Sequence, residues 1–261
     1  MPTTNPVTPM QLKDLLFIPL YIHQGKQMKR TAMRLPEATG ERHGSVMLNG
    51  AATKAIDRTL NLMIVGDSAA AGVGTDTQEQ ALGGQLVANL QASAVLQAQF
   101  SQIDWALHAT SGHTSFDSLR RLYLLKPPAT PVDIMIVNVG VNDTTKGVSP
   151  KRWRMQIEEI IAVAKRKFGA KHIIFPCLPP MAQMPALPKP LNGFMGAKAA
   201  GLDKSLQRVC EQYDEVTYAP IDFTQADFDA KEMFASDGLH PNTKAYAYWA
   251  TELAAQIEKL I

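Results

Sequence analysis

Short unbroken apolar runs alternate along most of the chain with stretches in which apolar residues return every three or four positions. The first run is Leu60-Asn-Leu-Met-Ile-Val-Gly66. Leu62 to Val65 carry no polar side chain, the pattern of a strand covered on both faces in a parallel sheet. Gly83 to Gln99 then places Leu86, Val87, Leu90, Val95 and Leu96 on a helical stripe. Ile103 to His108 reads as a short strand, and Thr114 to Leu125 as a helix capped by Thr114 or Ser115. Val132 to Val139 is a second buried strand. Ser149-Pro150 has the form of a helix entry, a capping residue before proline at the first turn, and the helix runs to about Phe168 with Ile157, Ile160, Ile161 and Ala164 on one face. His172 to Leu178 (strand), Met195 to Tyr213 (helix), Glu215 to Ala219 (strand) and Thr243 to Leu260 (helix) complete the alternation. Such alternation predicts an α/β domain with a parallel sheet and helices on both faces.

The first 58 residues do not follow this pattern. Leu15 to Ile22 is apolar, but it is about half of what spans a bilayer, and Pro19 interrupts it. No basic leader precedes it and no small-residue cleavage site follows, so a secretory signal is not expected and a cytoplasmic location is. Lys26, Lys29, Arg30 and Arg34 come next. Two roles fit. Leu15, Leu16, Phe17, Ile18, Leu20 and Ile22 pack as an arm on the main domain or on a second subunit of a homo-oligomer; or Leu15 to Arg34 lies as an apolar–basic segment on an anionic membrane surface. Packing is the expectation carried forward. Ala38 to Asn49, polar and glycine-bearing, reads as a linker, which divides the chain into an extension (1–58) and a main domain (59–261).

Composition narrows the class. A length of 261 residues suits one large α/β domain. Hydrophobic content of 46% with 19% charged residues belongs to a soluble globular protein. A net charge of +2 gives no reason to expect nucleic acid as a partner. Cys177 and Cys210 form no Cys-x-x-Cys pair and fall in core elements, where thiols act as small inert hydrophobes.

Candidate chemistry lies just after the strands. The first is followed by Gly66-Asp67-Ser68 and a small-residue loop to Gly74, the second by Ala109-Thr-Ser-Gly112, the third by Gly140-Val-Asn142-Asp143; Asp237-Gly-Leu-His240-Pro-Asn242 precedes the last helix. In a doubly wound sheet these loops lie side by side at the carboxyl ends of the strands. No Gly-Lys-Ser/Thr follows Gly66, the dinucleotide glycine spacing is absent, and there is no Gly-x-Ser-x-Gly elbow. The four loops together hold the parts needed for acyl transfer. Ser68 is a nucleophile that needs a base, and His240 can serve if Asp237, three residues upstream, fixes its tautomer. Ser68 N–H, Gly112 N–H and the Asn142 amide could form an oxyanion hole. Asp67 and Asp143 are expected to hold their loops through backbone N–H groups. With no His-Glu-x-x-His and no cysteine ligands, no metal site is expected, despite His108 and His113 beside Gly112. The loop Pro176 to Pro190 is rich in proline and apolar residues; Leu178, Met181, Met184 and Leu187 form a substrate wall there or simply cap the sheet.

Gly-Asp-Ser68, a lone Gly112, Gly-x-Asn142-Asp and Asp-x-x-His240 resemble, in order and spacing, the SGNH (GDSL) hydrolase superfamily, whose four letters are Ser68, Gly112, Asn142 and His240 here. The resemblance covers roughly Leu60 to Ile261. The Gly-Asp-Ser-x-Ala-Ala-Gly-Val-Gly form is similar to a bacterial esterase branch related to lysophospholipase-like enzymes, although Ala69-Ala-Ala replaces the Leu-Ser of other branches. It implies a flavodoxin-like three-layer α/β/α sandwich, no cofactor, and hydrolysis of a small-molecule ester or thioester through an acyl-enzyme. A carbohydrate O-deacetylase, or a lysophospholipase or thioesterase, would use the same triad. A binding protein on an inactive hydrolase scaffold is the non-enzymatic alternative.

Overall fold

The computed structural model describes residues 12–48, 57–222 and 232–261, with side-chain surroundings from residue 16 onward. In chain order the elements are α1 (Leu12–Thr31), β1 (His43–Met47), β2 (Thr59–Gly66), α2 (Leu82–Ala92), α3 (Ala94–Gln97), β3 (Gln102–Ala109) and α4 (Ser115–Leu124). They continue with β4 (Ile134–Asn138), α5 (Val141–Thr145), α6 (Pro150–Phe168), β5 (His172–Pro176), α7 (Leu191–Cys210), β6 (Val216–Ala219) and α8 (Thr243–Glu258), and a 3₁₀ turn lies at Met181–Gln183.

The sheet has the order β1-β3-β2-β4-β5-β6. β3, β2, β4, β5 and β6 are mutually parallel, and β1 pairs antiparallel with β3 at the edge. Numbered among themselves, the parallel strands have the flavodoxin-like order, whose direction of progression reverses between the first and third of them, here β2 and β4. Alternation along each strand splits the core into two layers. Met63, Val65, Met135 and Val137 face α4, α6 and α7 through Leu122, Trp153, Ile157 and Leu206. Leu62, Ile64, Ile134 and Ile136 face α2 and α8 through Leu86, Leu90, Trp249 and Leu253. The expected three-layer α/β/α sandwich is therefore the observed fold.

Several local signals act as expected. Ser149 caps α6 by accepting from Arg152 N–H, with Pro150 at its first position. Thr114 and Asp117 cap α4 reciprocally, and the loop bearing Asp237 and His240 leads to α8, capped by the Asn242 side chain, which accepts from Ala245 N–H. The single helix expected over 83–99 is broken at Ser93, which is extended and caps α3 through its side chain. Its hydroxyl also donates to Glu258 at 2.5 Å, a tie to the last helix that local periodicity does not record.

One expectation about the first 58 residues is corrected and another is met only in part. The stretch read as a linker contains β1, in register from His43 opposite Ala106 to Met47 opposite Gln102. An edge strand with alternating half-buried and exposed positions lacks the long apolar run that marks the central strands. Its flanks tie down the next loop: Glu37 pairs with Arg42 at 2.7 Å and accepts from Ser111 N–H at 2.6 Å. The expected packing of the arm on the main domain is met only in part. Pro19 does not end α1, which runs through it. α1 contacts α7 through Tyr21, whose ring stacks on Phe194 with centroids 4.6 Å apart, and Gln24 donates to the Lys189 carbonyl. Leu16, Phe17, Ile18, Leu20 and Ile22, expected to pack on the main domain or on a second subunit, are exposed in the single chain and so do not pack on the main domain. The side chain of Leu15 lies outside the described residues. No described helix is long and apolar enough to cross a membrane.

Candidate active site

β2 and β4, the strands on either side of the reversal, deliver Ser68 and Asn142 to the same edge. Their close approach needs Gly66: a Cβ there would lie 2.5 Å from the Asn138 carbonyl oxygen. Asp67 N–H donates to that carbonyl, and the chain then coils tightly, with Ala71 N–H on Asp67 O and Val73 N–H on Ser68 O. The half-buried Ser68 side chain emerges at this turn.

His240 arrives from the far end of the chain, on a loop closed by Ala235 N–H to His240 O at 2.8 Å and anchored by the Asn242 cap of α8. Its Nε2 lies 2.9 Å from Ser68 Oγ, and its Nδ1 lies 2.6 Å from Asp237 Oδ2. An ionised carboxylate only accepts, so Nδ1 carries the proton and Nε2 is left to accept from the serine hydroxyl. Asp237 Oδ1 accepts from the N–H groups of Leu239 and His240. Burial pushes the Asp237 carboxyl up, but the bonds from the His240 ring and these two N–H groups outweigh it and hold it below its ordinary value.

Asn142 sits in α5, and its Nδ2 donates to His113 O at 3.0 Å and to Asp67 Oδ2 at 3.3 Å. Gly112 lies on an exposed loop, its carbonyl accepting from Lys146 Nζ at 2.9 Å. Neither Ser68 N–H nor Gly112 N–H donates to an acceptor among the described residues. Ser68, Asn142 and His240 all border one cavity of about 180 Å³; Gly112 is not part of its wall. The structure thus brings Ser68, Asp237, His240 and Asn142 together and sets Gly112 on a neighbouring loop.

The two other acids of these motifs hold loops. Asp67 Oδ1 accepts from Ala69 N–H, and Asp143 accepts from both the N–H and the hydroxyl of Ser115. Burial pushes Asp67 up to about 7, with the Asp143 charge adding to it, against the opposing bonds from Ala69 and Asn142. Asp143 is raised too, chiefly by burial. An exposed, unfolded Asp67 titrates near 3.8. Between about pH 4 and pH 7 the folded state therefore binds more protons than the unfolded one, and the contribution of this group falls as pH rises through that window. Thermal unfolding of wild type and Asp67→Asn between these limits should show a steeper loss with rising pH in the wild type. Parallel curves would sink the assignment.

The cavity wall partly matches expectation. Met181, Met184 and Leu187 line it, but Leu178 does not: its side chain fills the space beside Gly140 and its N–H donates to Asp203. Met28, Phe234 and Leu239 also line it and were not foreseen. Met28 was within reach of sequence reasoning, since Tyr21, Gln24 and Met28 share one helical face, at spacings of three and four, in α1. Cys177 and Cys210 are buried as expected, and burial pushes each thiol up to about 12.

Solved structures with the same architecture include a lipase/acylhydrolase from Enterococcus faecalis, 18% identical with a TM-score of 0.57, covering 77% of this chain and 96% of that one. A member of the lipolytic G-D-S-L family from Veillonella parvula shares 14% identity and a TM-score of 0.57 over 77% of this chain and 100% of its own. A carbohydrate acetylesterase from Sinorhizobium meliloti shares 16% identity and a TM-score of 0.55, again over 77% and 100%. At such identities the likeness carries the fold alone. No curated protein matches by sequence. The sequence profile of the GDSL-like lipase/acylhydrolase family, however, matches residues 64–248, which takes in the loops bearing Ser68, Asn142 and His240. Motif, fold and profile agree: the chain belongs to the GDSL-like lipase/acylhydrolase family.

Proposed function

We propose that the protein is a serine esterase that hydrolyses carboxylic esters of small to medium acyl chains. The observation that carries this reading is the continuous bridge from Asp237 through His240 to Ser68, at 2.6 and 2.9 Å. As the Ser68 oxygen attacks the ester carbonyl, its proton passes to His240 Nε2, and Asp237 balances the imidazolium that forms. The tetrahedral intermediate carries its negative charge on the former carbonyl oxygen. Ser68 N–H, with no protein acceptor among the described residues, is available to that oxygen, and so is Gly112 N–H once substrate bridges the two loops. Asn142 can join them by giving up its longer bond, the 3.3 Å contact to Asp67. His240 then returns the proton to the leaving alcohol. Water, deprotonated by the same imidazole, attacks the acyl-enzyme and releases the acid and Ser68.

The wall supports an aliphatic acyl group. Met181, Met184 and Leu187 offer dispersion contacts to an alkyl chain, and Met side chains adapt to its shape. They offer few hydrogen-bond partners to sugar hydroxyls, which weighs against the deacetylase alternative.

A panel of p-nitrophenyl esters from acetate to palmitate, run beside acetylated xylan and lysophosphatidylcholine, tests the reading. Turnover should peak between butyrate and octanoate. A clear preference for acetylated xylan would make the protein a deacetylase, and no turnover on any substrate would favour a binding role. On the best ester, Asn142→Ala should lower kcat by about a hundredfold with little change in KM, because the amide meets charge that exists only in the transition state. A change confined to KM would instead make Asn142 a substrate-positioning residue.

A further inference from the structure

α1 has an apolar half and a basic half, and only one face of it is used for packing. Leu16, at 83% exposed, and Ile22, at 52%, stand on the apolar half with Phe17, Ile18 and Leu20, also exposed. Lys26, Lys29, Arg30 and Arg34 follow, all exposed and none in an ion pair among the described residues. No acidic residue interrupts the segment from Leu15 to Arg34. The same helix reaches the site: Met28 lines the cavity that holds Ser68, and Ser236, next to Asp237, donates its hydroxyl to Met33 Sδ just beyond the helix end.

We infer that α1 docks the protein on an anionic lipid bilayer, lying at the interface with its exposed apolar residues dipping into one leaflet and its cations at the headgroups, so that the cavity opens toward lipid-borne esters. Lengths and charges agree with this occupant. The eight residues from Leu15 to Ile22 span about 12 Å as a helix, less than half the roughly 30 Å hydrocarbon thickness, and Lys13 and Asp14 just before them keep that end of the helix at the interface. The cations begin one turn later, at the depth of phosphate groups. A second copy of the chain fits less well, because the same surface on the partner would offer Lys26, Lys29, Arg30 and Arg34 no acidic residue to pair with.

The substrate side of this inference rests on the ester reading above; the docking does not, and it can be measured without turnover. The full chain is sedimented with vesicles of phosphatidylcholine alone and of phosphatidylcholine with phosphatidylserine, at low and high salt. Binding should need phosphatidylserine and weaken with salt. Leu16→Asp/Ile22→Asp and, separately, Lys29→Glu/Arg30→Glu should each lower the bound fraction by about tenfold or more. Both variants should turn over p-nitrophenyl butyrate in vesicle-free buffer as the wild type does, which separates lost docking from a damaged fold. Absence of vesicle binding by the wild type would overturn the inference, as would equal binding by the variants. So would a dimer in solution that Leu16→Asp/Ile22→Asp dissociates, since the occupant would then be a second copy. Vesicle binding without turnover of any ester would support the docking and overturn the ester reading.

Discussion

Ser68→Ala should abolish ester turnover, by about four decades or more in kcat, and leave thermal stability almost unchanged. The substitution removes one oxygen, whose recorded contact is His240 Nε2 at 2.9 Å. Without it no acyl-enzyme can form, and what remains is the acceleration from binding and charge stabilisation alone. The cost to folding is small because Ser68 is half-buried at the edge of a cavity and no backbone group depends on its hydroxyl. Steady-state rates on the best p-nitrophenyl ester, with unfolding midpoints for both proteins, check the expectation. A fluorophosphonate probe should label the wild type at Ser68 and leave the variant unlabelled. More than a tenth of the activity surviving in the variant would end the serine mechanism, and covalent labelling elsewhere would move the site.

Gly74→Ala should damage both stability and turnover, although residue 74 has no part in the chemistry. Its φ is +103°, which L side chains rarely adopt, and a Cβ there would lie 2.2 Å from the carbonyl oxygen of Pro241 and 3.0 Å from Ala235 Cβ. The atom in the way is backbone, so relief requires the loop that carries His240 to move away from the loop that carries Ser68. Backbone strain and overpacking together make a loss of about 3 kcal/mol the expected scale. A displacement of His240 on the order of 1 Å costs about a hundredfold in kcat. Gly147→Ala is the control: its φ is +70°, but the nearest atom to a new Cβ is the flexible Lys198 Nζ at 3.6 Å. That variant should lose about 1 kcal/mol and keep its turnover. Equal kinetic effects in the two variants would mean that the contact between the loops does not position His240.

Much of the fold and part of the site could be read from the chain itself, for reasons that particular residues make plain. Leu62 to Val65 and Ile134 to Val137 are buried on both faces, so their apolar runs stand out without any tertiary knowledge. Ser149-Pro150 and Asn242 announce helix starts because capping is a local bond between neighbours in sequence. Asp237 and His240 are three residues apart, so their pairing was also legible. What local pattern cannot carry is the partner of a half-buried or exposed surface. β1 needs only one neighbour and shows no long apolar run, and α3 starts where Ser93 is both a cap and a tie to Glu258.

The layered α/β class, the order of the four loops and the residue types that they bring to one edge are written in the chain, because each follows from short-range periodicity, capping and spacing. Which side chains meet emerges only when the chain is folded. Folding sets Ser68 within 2.9 Å of a histidine 172 residues away, keeps Leu178 out of the cavity and puts Met28 in it, and leaves Leu16 and Ile22 exposed. The reason is physical: an apolar side chain gains by leaving water wherever it can, and nothing in its own neighbourhood of the chain says which distant surface will cover it.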